Sequence, residues 1–451
     1  MRPSAPDAPP LDPTVPALLA KVGAYPQHHG GLGVVRTLGR AGVTVHAVVE
    51  DRLTPVALSR HLSRAFVRPT TGLEPQDALV AALLDVGRAV GAPCVPVPTD
   101  DEAAILLAEH AEVLSECFLL PRVDPGLPRL LAGKASLHAL CEELGVAAPR
   151  SRVPLDRDEL VDAGRELGFP VVLKNRDAWT RLRDPAVGGT TAVRDERGLL
   201  DRFAPGVLPP LLVQEYIPRE WAEDWITHLY CGAGGEPRVA FTGLKLRSWP
   251  PHAGVTTRAV ALANPALARL AEDLVRRIGY SGAADLDWRY DRRDERYKLV
   301  DFNPRTGAQF RLFENTDGVD VVRAMHLDLT GREVPPRPQA EGRVFVAGQL
   351  DLPSVLAWLR EERRLPPALW PGPGTERAWL SGGDPLPAAV EAVRFLGAVA
   401  RRLGREVRGG TDGRRGRVGT DGRRGRVGTG GGARGRGGAP APGGRGGGPP
   451  C

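Results

Sequence analysis

Cysteine, methionine and aromatic residues are scarce in this chain: five Cys, two Met and only 5% Phe, Trp and Tyr among 451 residues. Cys94, Cys117, Cys141, Cys231 and Cys451 form no CxxC pair and keep no regular spacing. That excludes a disulfide framework or a cysteine-based zinc site, and it fits a reducing, cytoplasmic setting. No apolar run reaches bilayer-spanning length, and Met1–Pro10 lacks the apolar core of a secretion signal, so no membrane partner is expected. No Ser/His/Asp or Cys/His arrangement stands out as a nucleophilic centre.

What is present is ordinary for globular protein, with 42% hydrophobic and 25% charged residues, in a chain long enough for two or three domains. The net charge of +6 needs dividing. Residues 401–451 hold thirteen of the 60 basic and three of the 54 acidic side chains, so this tail carries +10 and the first 400 residues −4. The nine residues 411–419 recur unchanged at 420–428, followed by Gly/Arg/Pro sequence that cannot bury enough surface to offset ordering entropy. A disordered tail is therefore expected over 409–451. It lacks the interleaved aromatics of a base-stacking segment, so nucleic acid is not an expected partner beyond non-specific contacts.

Upstream, the order of elements reads as α/β. A strand at Ala17–Val22, the His28–Gly33 turn, a helix through Val34 to Ala41 and a buried strand at Val43–Val49 form a β-α-β unit. Its glycines miss the GxGxxG spacing, so a structural Rossmann-like module is expected over 16–124, after an unstructured 1–15. Within it Thr99 and Glu102 have capping-box spacing. A second α/β segment spans 125–335, and 336–408 adds an α/β extension with a strand at Val344–Ala347 and an amphipathic helix over Leu386–Leu403. Trp221 and Trp225, four apart, suggest helix or hinge packing.

The chemistry concentrates in 125–335. Tyr297–Arg305 is an apolar strand running to Asp301 and Asn303, which share a face one pleat apart, then Pro304 and Arg305. Ala283–Tyr290 is a second acidic strand; the polar turn between them predicts a hairpin that sets Asp285 or Asp287 beside Asp301. Two hard oxygen ligands on one face suit magnesium when phosphates complete its shell. Phe169–Lys174 is an apolar strand ending in an ammonium. Val187–Val193 is a glycine hairpin able to approach phosphates through its backbone. Leu211–Pro218 runs into an acid and an extended hinge that can offer a carboxylate and backbone groups to an adenine edge. Lys134 heads a helix, whose positive end favours phosphate. Arg247 and Arg258 could fork a substrate carboxylate.

In this order, the motifs resemble the ATP-grasp superfamily of carboxylate–amine ligases, related to carbamoyl phosphate synthetase and D-aspartate ligase, over residues 20–330. The resemblance implies a Rossmann-like pre-ATP-grasp domain followed by a two-lobed ATP-grasp domain. It makes Lys134 and Lys174 the phosphate lysines, and Gly188, Gly189 and Thr190 the loop over the triphosphate. Glu215, Tyr216 and Ile217 become the adenine hinge, and Asp224 or Glu223 the ribose acid. Asp287, Asp301 and Asn303 become the metal positions, and Arg305, with Lys174, supports the reacting acyl phosphate. At Asp301 the family usually has glutamate. The implied cofactors are ATP and Mg2+, with Mn2+ as an alternative, and the implied partners a small carboxylate and an amine, such as amino acids. A homodimer is compatible with this reading. A catalytically impaired ATP-binding protein of the same fold is the alternative.

Overall fold

The structure, a computed structural model, describes residues 8–397 except 27, 178, 180, 181, 184, 204, 205, 252, 253, 367, 368, 370, 371 and 373. The expected disordered tail and the end of the Leu386–Leu403 helix lie outside these residues; positions 386–397 are helical. No helix among the described residues is long and apolar enough to cross a membrane.

Strands β1 (Ala17–Ala20), β2 (Val45–Val49), β3 (Arg64–Val67) and β4 (Val95–Pro98) form a parallel sheet in the order β3-β2-β1-β4. Helices α1 (His29–Arg40), α2 (Gln76–Val90) and α3 (Asp101–Glu109) flank it. Burial on both faces explains why β1, β2 and β4 read as apolar runs rather than alternating ones, whereas edge strand β3 starts at exposed Arg64. Three local expectations are corrected. The glycines of His28–Gly33 do not make a turn; α1 begins at His29. A side chain at Gly33 would meet Phe310 at 2.8 Å and one at Gly30 would meet the Ala308 backbone at 3.0 Å, so these glycines permit close helix packing. The cap of α3 is Asp100, not Thr99: its carboxylate accepts from Ala103 N at 2.7 Å and from Val22 and Gly23 N–H, both at 3.1 Å. Residues 8–15 are not loose, because Leu11 is buried and Asp12 pairs with Arg332 at 3.0 Å.

Helices α4 (Ala111–Leu114), α5 (Leu127–Ala132) and α6 (Lys134–Leu144) lead to a small antiparallel sheet. It contains β5 (Ser151–Arg152), β6 (Val171–Asn175), β7 (Thr191–Val193) and β8 (Leu211–Glu215) in the order β5-β8-β6-β7. Helices α7 (Arg157–Leu167) and α8 (Glu196–Arg202) cover its apolar face through Leu160, Leu199 and Val171.

The third sheet has seven strands: β9 (Ala222–Cys231), β10 (Pro237–Trp249), β11 (Val255–Ala261), β12 (Gly282–Asp291), β13 (Arg296–Asn303), β14 (Val344–Val346) and β15 (Glu376–Arg377), ordered β13-β12-β9-β10-β11-β14-β15. Helix α9 (Pro265–Ile278) packs on one face through Leu267, Ala271 and Leu274. Helix α10 (Val321–Leu329) joins the core shared with α1 and β1, and α11 (Gly348–Glu362) follows β14. Trp225 sits in β9 with its ring edge-on to Tyr297, while Trp221 precedes the strand, so the two do not share a helix.

Candidate active site

The acidic hairpin forms as its alternation dictates, and its register resolves a choice. Asp287 pairs with Asp301, and Asp285 with Asn303. A bulge after Asp287 shifts the remaining pairs. Between this hairpin and the small sheet lies a cavity of about 490 Å³. Lys134, Lys174, Lys245, Asp287, Asp301 and Asn303 line one part of it, Gln214, Glu215, Ile217, Glu223 and Asp224 another, and Gly189 and Thr190 a third. Gly188, Tyr216, Arg258 and Arg305 are outside that lining.

Charges in the cavity are interlocked. The Lys134 ammonium donates to Asp301, and Lys245 lies 2.5 Å from Asp287. Lys174 donates to the Val300 carbonyl at 3.2 Å. Burial pushes the Lys174 ammonium down to about 8; Lys134 and Arg289 push the same way, while Asp301 and Asp287 oppose them. Burial also raises the Asp287 carboxyl despite Lys245, whereas Lys134 and Lys174 outweigh burial at Asp301 and lower it. Lys245 was not expected from the sequence; its place on β10 beside the hairpin strands follows from a pairing that no local pattern reveals.

Among the described residues no group of three His, Cys, Asp or Glu side chains is poised to hold a metal by itself. The residues present nevertheless fit magnesium. Two carboxylates face each other across β12 and β13, and the Asn303 amide nitrogen is spent on the Asp285 carbonyl at 3.0 Å, which leaves its oxygen for a cation. Such a sparse set suits an ion that keeps water and phosphate ligands.

Two site expectations change. The Glu215 carboxylate is not offered to an adenine edge: it accepts from Arg150 N–H at 3.0 Å and pairs with Lys298 at 3.5 Å. Arg247 and Arg258 do not form an open fork, because buried Asp351 of α11 pairs with Arg247 at 2.8 Å and lies 3.7 Å from Arg258. Arg247 still lines the cavity; Arg258 does not. Of the two histidines at the start of the His28–Gly33 segment, His28 is in a loop and His29 is buried in α1, where burial holds its ring down to about 4.

For the ribose acid both candidates line the cavity. Glu223 pairs with Arg292 at 2.8 Å and accepts from the Trp225 indole at 3.0 Å, whereas Asp224 pairs with Arg289 at 3.2 Å. The extension contributes a wall that no motif announced: Ser354, Trp358 and Glu361 of α11 line the cavity. The Arg219 guanidinium lies 3.8 Å over the Trp358 ring.

This pair of sheets enclosing a charged cavity, preceded by a parallel module, is the ATP-grasp fold. No family model matches the chain. It is similar to D-aspartate ligase of Enterococcus faecium, with 26% identity over 309 residues covering 64% of this chain and 72% of the relative. Among solved structures, N5-carboxyaminoimidazole synthetase from Staphylococcus aureus complexed with ADP superposes with a TM-score of 0.55 at 12% identity, covering 74% of this chain and 81% of that one. The biotin carboxylase domain of Hydrogenobacter thermophilus 2-oxoglutarate carboxylase, with MgADP and bicarbonate, gives 0.52 at 19% identity and 71% coverage of both chains.

Proposed function

We propose that this protein is an ATP-dependent ligase that activates a carboxylate as an acyl phosphate and condenses it with an amine to form an amide. The observation that carries the reading is the convergence of three ammonium groups, Lys134, Lys174 and Lys245, on the Asp287–Asp301 pair in one cavity bordered by the β8 hinge. The similarity to D-aspartate ligase supports the same chemistry. Lys134 and Lys174 neutralise phosphate oxygens, and Gly188, Gly189 and Thr190 cover them. Ile217, Tyr216 and the backbone at Glu215 receive the adenine, and Asp224 the ribose.

A substrate carboxylate oxygen attacks the γ-phosphorus and ADP leaves; an amine then attacks the acyl carbon and inorganic phosphate departs. Magnesium, when bound by Asp287, Asp301 and Asn303, supplies charge neutralisation at the phosphates. The chain's own part is placement and electrostatics rather than covalent catalysis. Arg305, which follows the end of β13, is assigned to support the acyl phosphate as it forms.

The test is ADP release from full-length protein against a panel of carboxylates crossed with amines, with D-aspartate and other amino acids first. Release that requires both partners is expected. Nucleotide binding without turnover on every pair would sink the reading and favour an impaired relative.

A further inference from the structure

Arg305 is held from two sides. Its Nη1 donates to Asp285 Oδ2 at 3.0 Å on β12, and its Nε lies 3.3 Å from Asp101 Oδ1 in the first turn of α3. Asp285 in turn lies 3.1 Å from His228 Nε2 on β9. The His228 ring is wholly buried, with its centroid 4.9 Å from that of Phe313. Both aspartates are also buried. A side chain at Gly307 would come within 2.6 Å of Asp285 Oδ2 and collide with His228, so glycine here makes room for the pair. The backbone adds an independent tie: Thr306 N donates to the Pro98 carbonyl at the end of β4 at 3.2 Å. The β4–α3 corner of the parallel module therefore grips both the side chain and the backbone of the segment that follows β13.

We propose that Asp101, with the His228–Asp285 pair, acts as a positioning residue that aims the Arg305 guanidinium, making the parallel module a working part of the active site. The guanidinium is planar and its donors are fixed in a fork. With Nη1 bonded to Asp285 and Nε within ion-pair distance of Asp101, the plane of the fork is biased so that Nη2 is the nitrogen left to meet a substrate or phosphate oxygen. Two acids about one cation also spread the anchoring between helix α3 of the parallel module and strand β12 of the seven-stranded sheet, so a shift of the module relative to the hairpin would turn the arginine. This rests on the ligase reading for its consequence in turnover, though not for its geometry.

The experiment combines Asp101→Asn, Asp101→Glu and Arg305→Lys, singly and as the Asp101→Asn/Arg305→Lys pair. It reads kcat, the KM for carboxylate and ATP, Tm, and exchange of the Arg305 Nε–H by ¹⁵N NMR, assigned through Arg305→Lys. Removing an orienting partner typically costs about 10–100-fold. Asp101→Asn is expected to lower kcat by about tenfold with ATP KM and Tm little changed, to speed Nε–H exchange, and to be partly rescued by Asp101→Glu. In the Arg305→Lys background it should cost nothing further, since the two residues act as one unit. An undiminished effect in that background, or a fall in Tm with kcat intact, overturns the proposal. So does unchanged Nε–H exchange, whether or not a substrate pair has been found. Absence of turnover on every pair in the wild type counts against the ligase reading alone.

Discussion

The β12–β13 hairpin and the glycine loop before β7 border the same cavity yet are built in opposite ways. Every acid of the hairpin that faces the site is tied: Asp301 to Lys134, Asp287 to Lys245, and Asp285 to His228 and Arg305. Around Gly188 and Gly189, by contrast, a side chain would meet nothing within 4 Å. In this loop Thr191 Oγ1 donates to the Gly188 carbonyl at 2.9 Å, and the Asn175 side chain donates to the Val187 carbonyl at 2.8 Å and accepts from the Val187 N–H at 3.3 Å. Fixed charge belongs where negative charge develops, because preorganised groups need no rearrangement during reaction. In the proposed role of the loop, a cover over a nucleotide needs room instead. The two regions should therefore respond to mutation very differently.

The largest effect is expected at the fixed side. Lys174→Ala should lower turnover by about 100-fold or more, in line with loss of one preorganised charge donor, with ADP release as the measurement and circular dichroism confirming that the protein remains folded. Wild-type-like turnover would remove Lys174 from the phosphate site. Next, Gly307→Ala should destabilise the protein by about 1–3 kcal/mol through overpacking against His228 and Asp285, seen as a lower denaturant midpoint.

A third outcome concerns pH. The ammonium of Lys174 loses its proton as pH rises through about 8 in the free protein, so kcat/KM for ATP should decline above that pH. Bound phosphates favour the protonated form, so the matching limb of kcat should lie at higher pH. Lys174→Arg, if active, should shift the kcat/KM limb upward, since arginine stays charged. The smallest effect belongs to the loop: Gly188→Ala and Gly189→Ala meet no neighbour and should change kcat by less than about threefold, with any loss appearing in the KM for ATP. If they cost as much as Lys174→Ala, the contrast between fixed hairpin and open cover fails.

How much of this could be read from the chain depends on distance along it. The hairpin was legible because period-two alternation and a polar turn are local signals, and only its register, Asp287 against Asp301, awaited the structure. The helix from Lys134 was legible from apolar spacing and Gly145, which adopts a left-handed φ of +64° at its end. The fate of Glu215 was not, because Lys298 lies 83 residues away. The same holds for Asp351, whose partner Arg247 is 104 residues distant. Spacing shows which side chains share a face; it carries no record of which distant charge will meet them. Nor could it show that the glycines after His29 serve packing rather than a turn, since both uses draw on the missing Cβ.

The α11 carboxylate of Asp351 has one more consequence, for anyone who would trim this protein to its motifs. A chain ended at residue 335 would retain every segment proposed to bind nucleotide, yet it would lose the α11 wall of the cavity and leave Arg247 and Arg258 without that counter-charge. Both guanidiniums are almost fully shielded from solvent, and such a truncation would remove both their Asp351 counter-charge and part of the covering that shields them. The extension also carries Asp384, which pairs with buried Arg36 of α1 at 2.9 Å. A working unit therefore takes in more than the stretch bearing the recognisable motifs: residues 336–397 supply buried counter-charges to the segments before them.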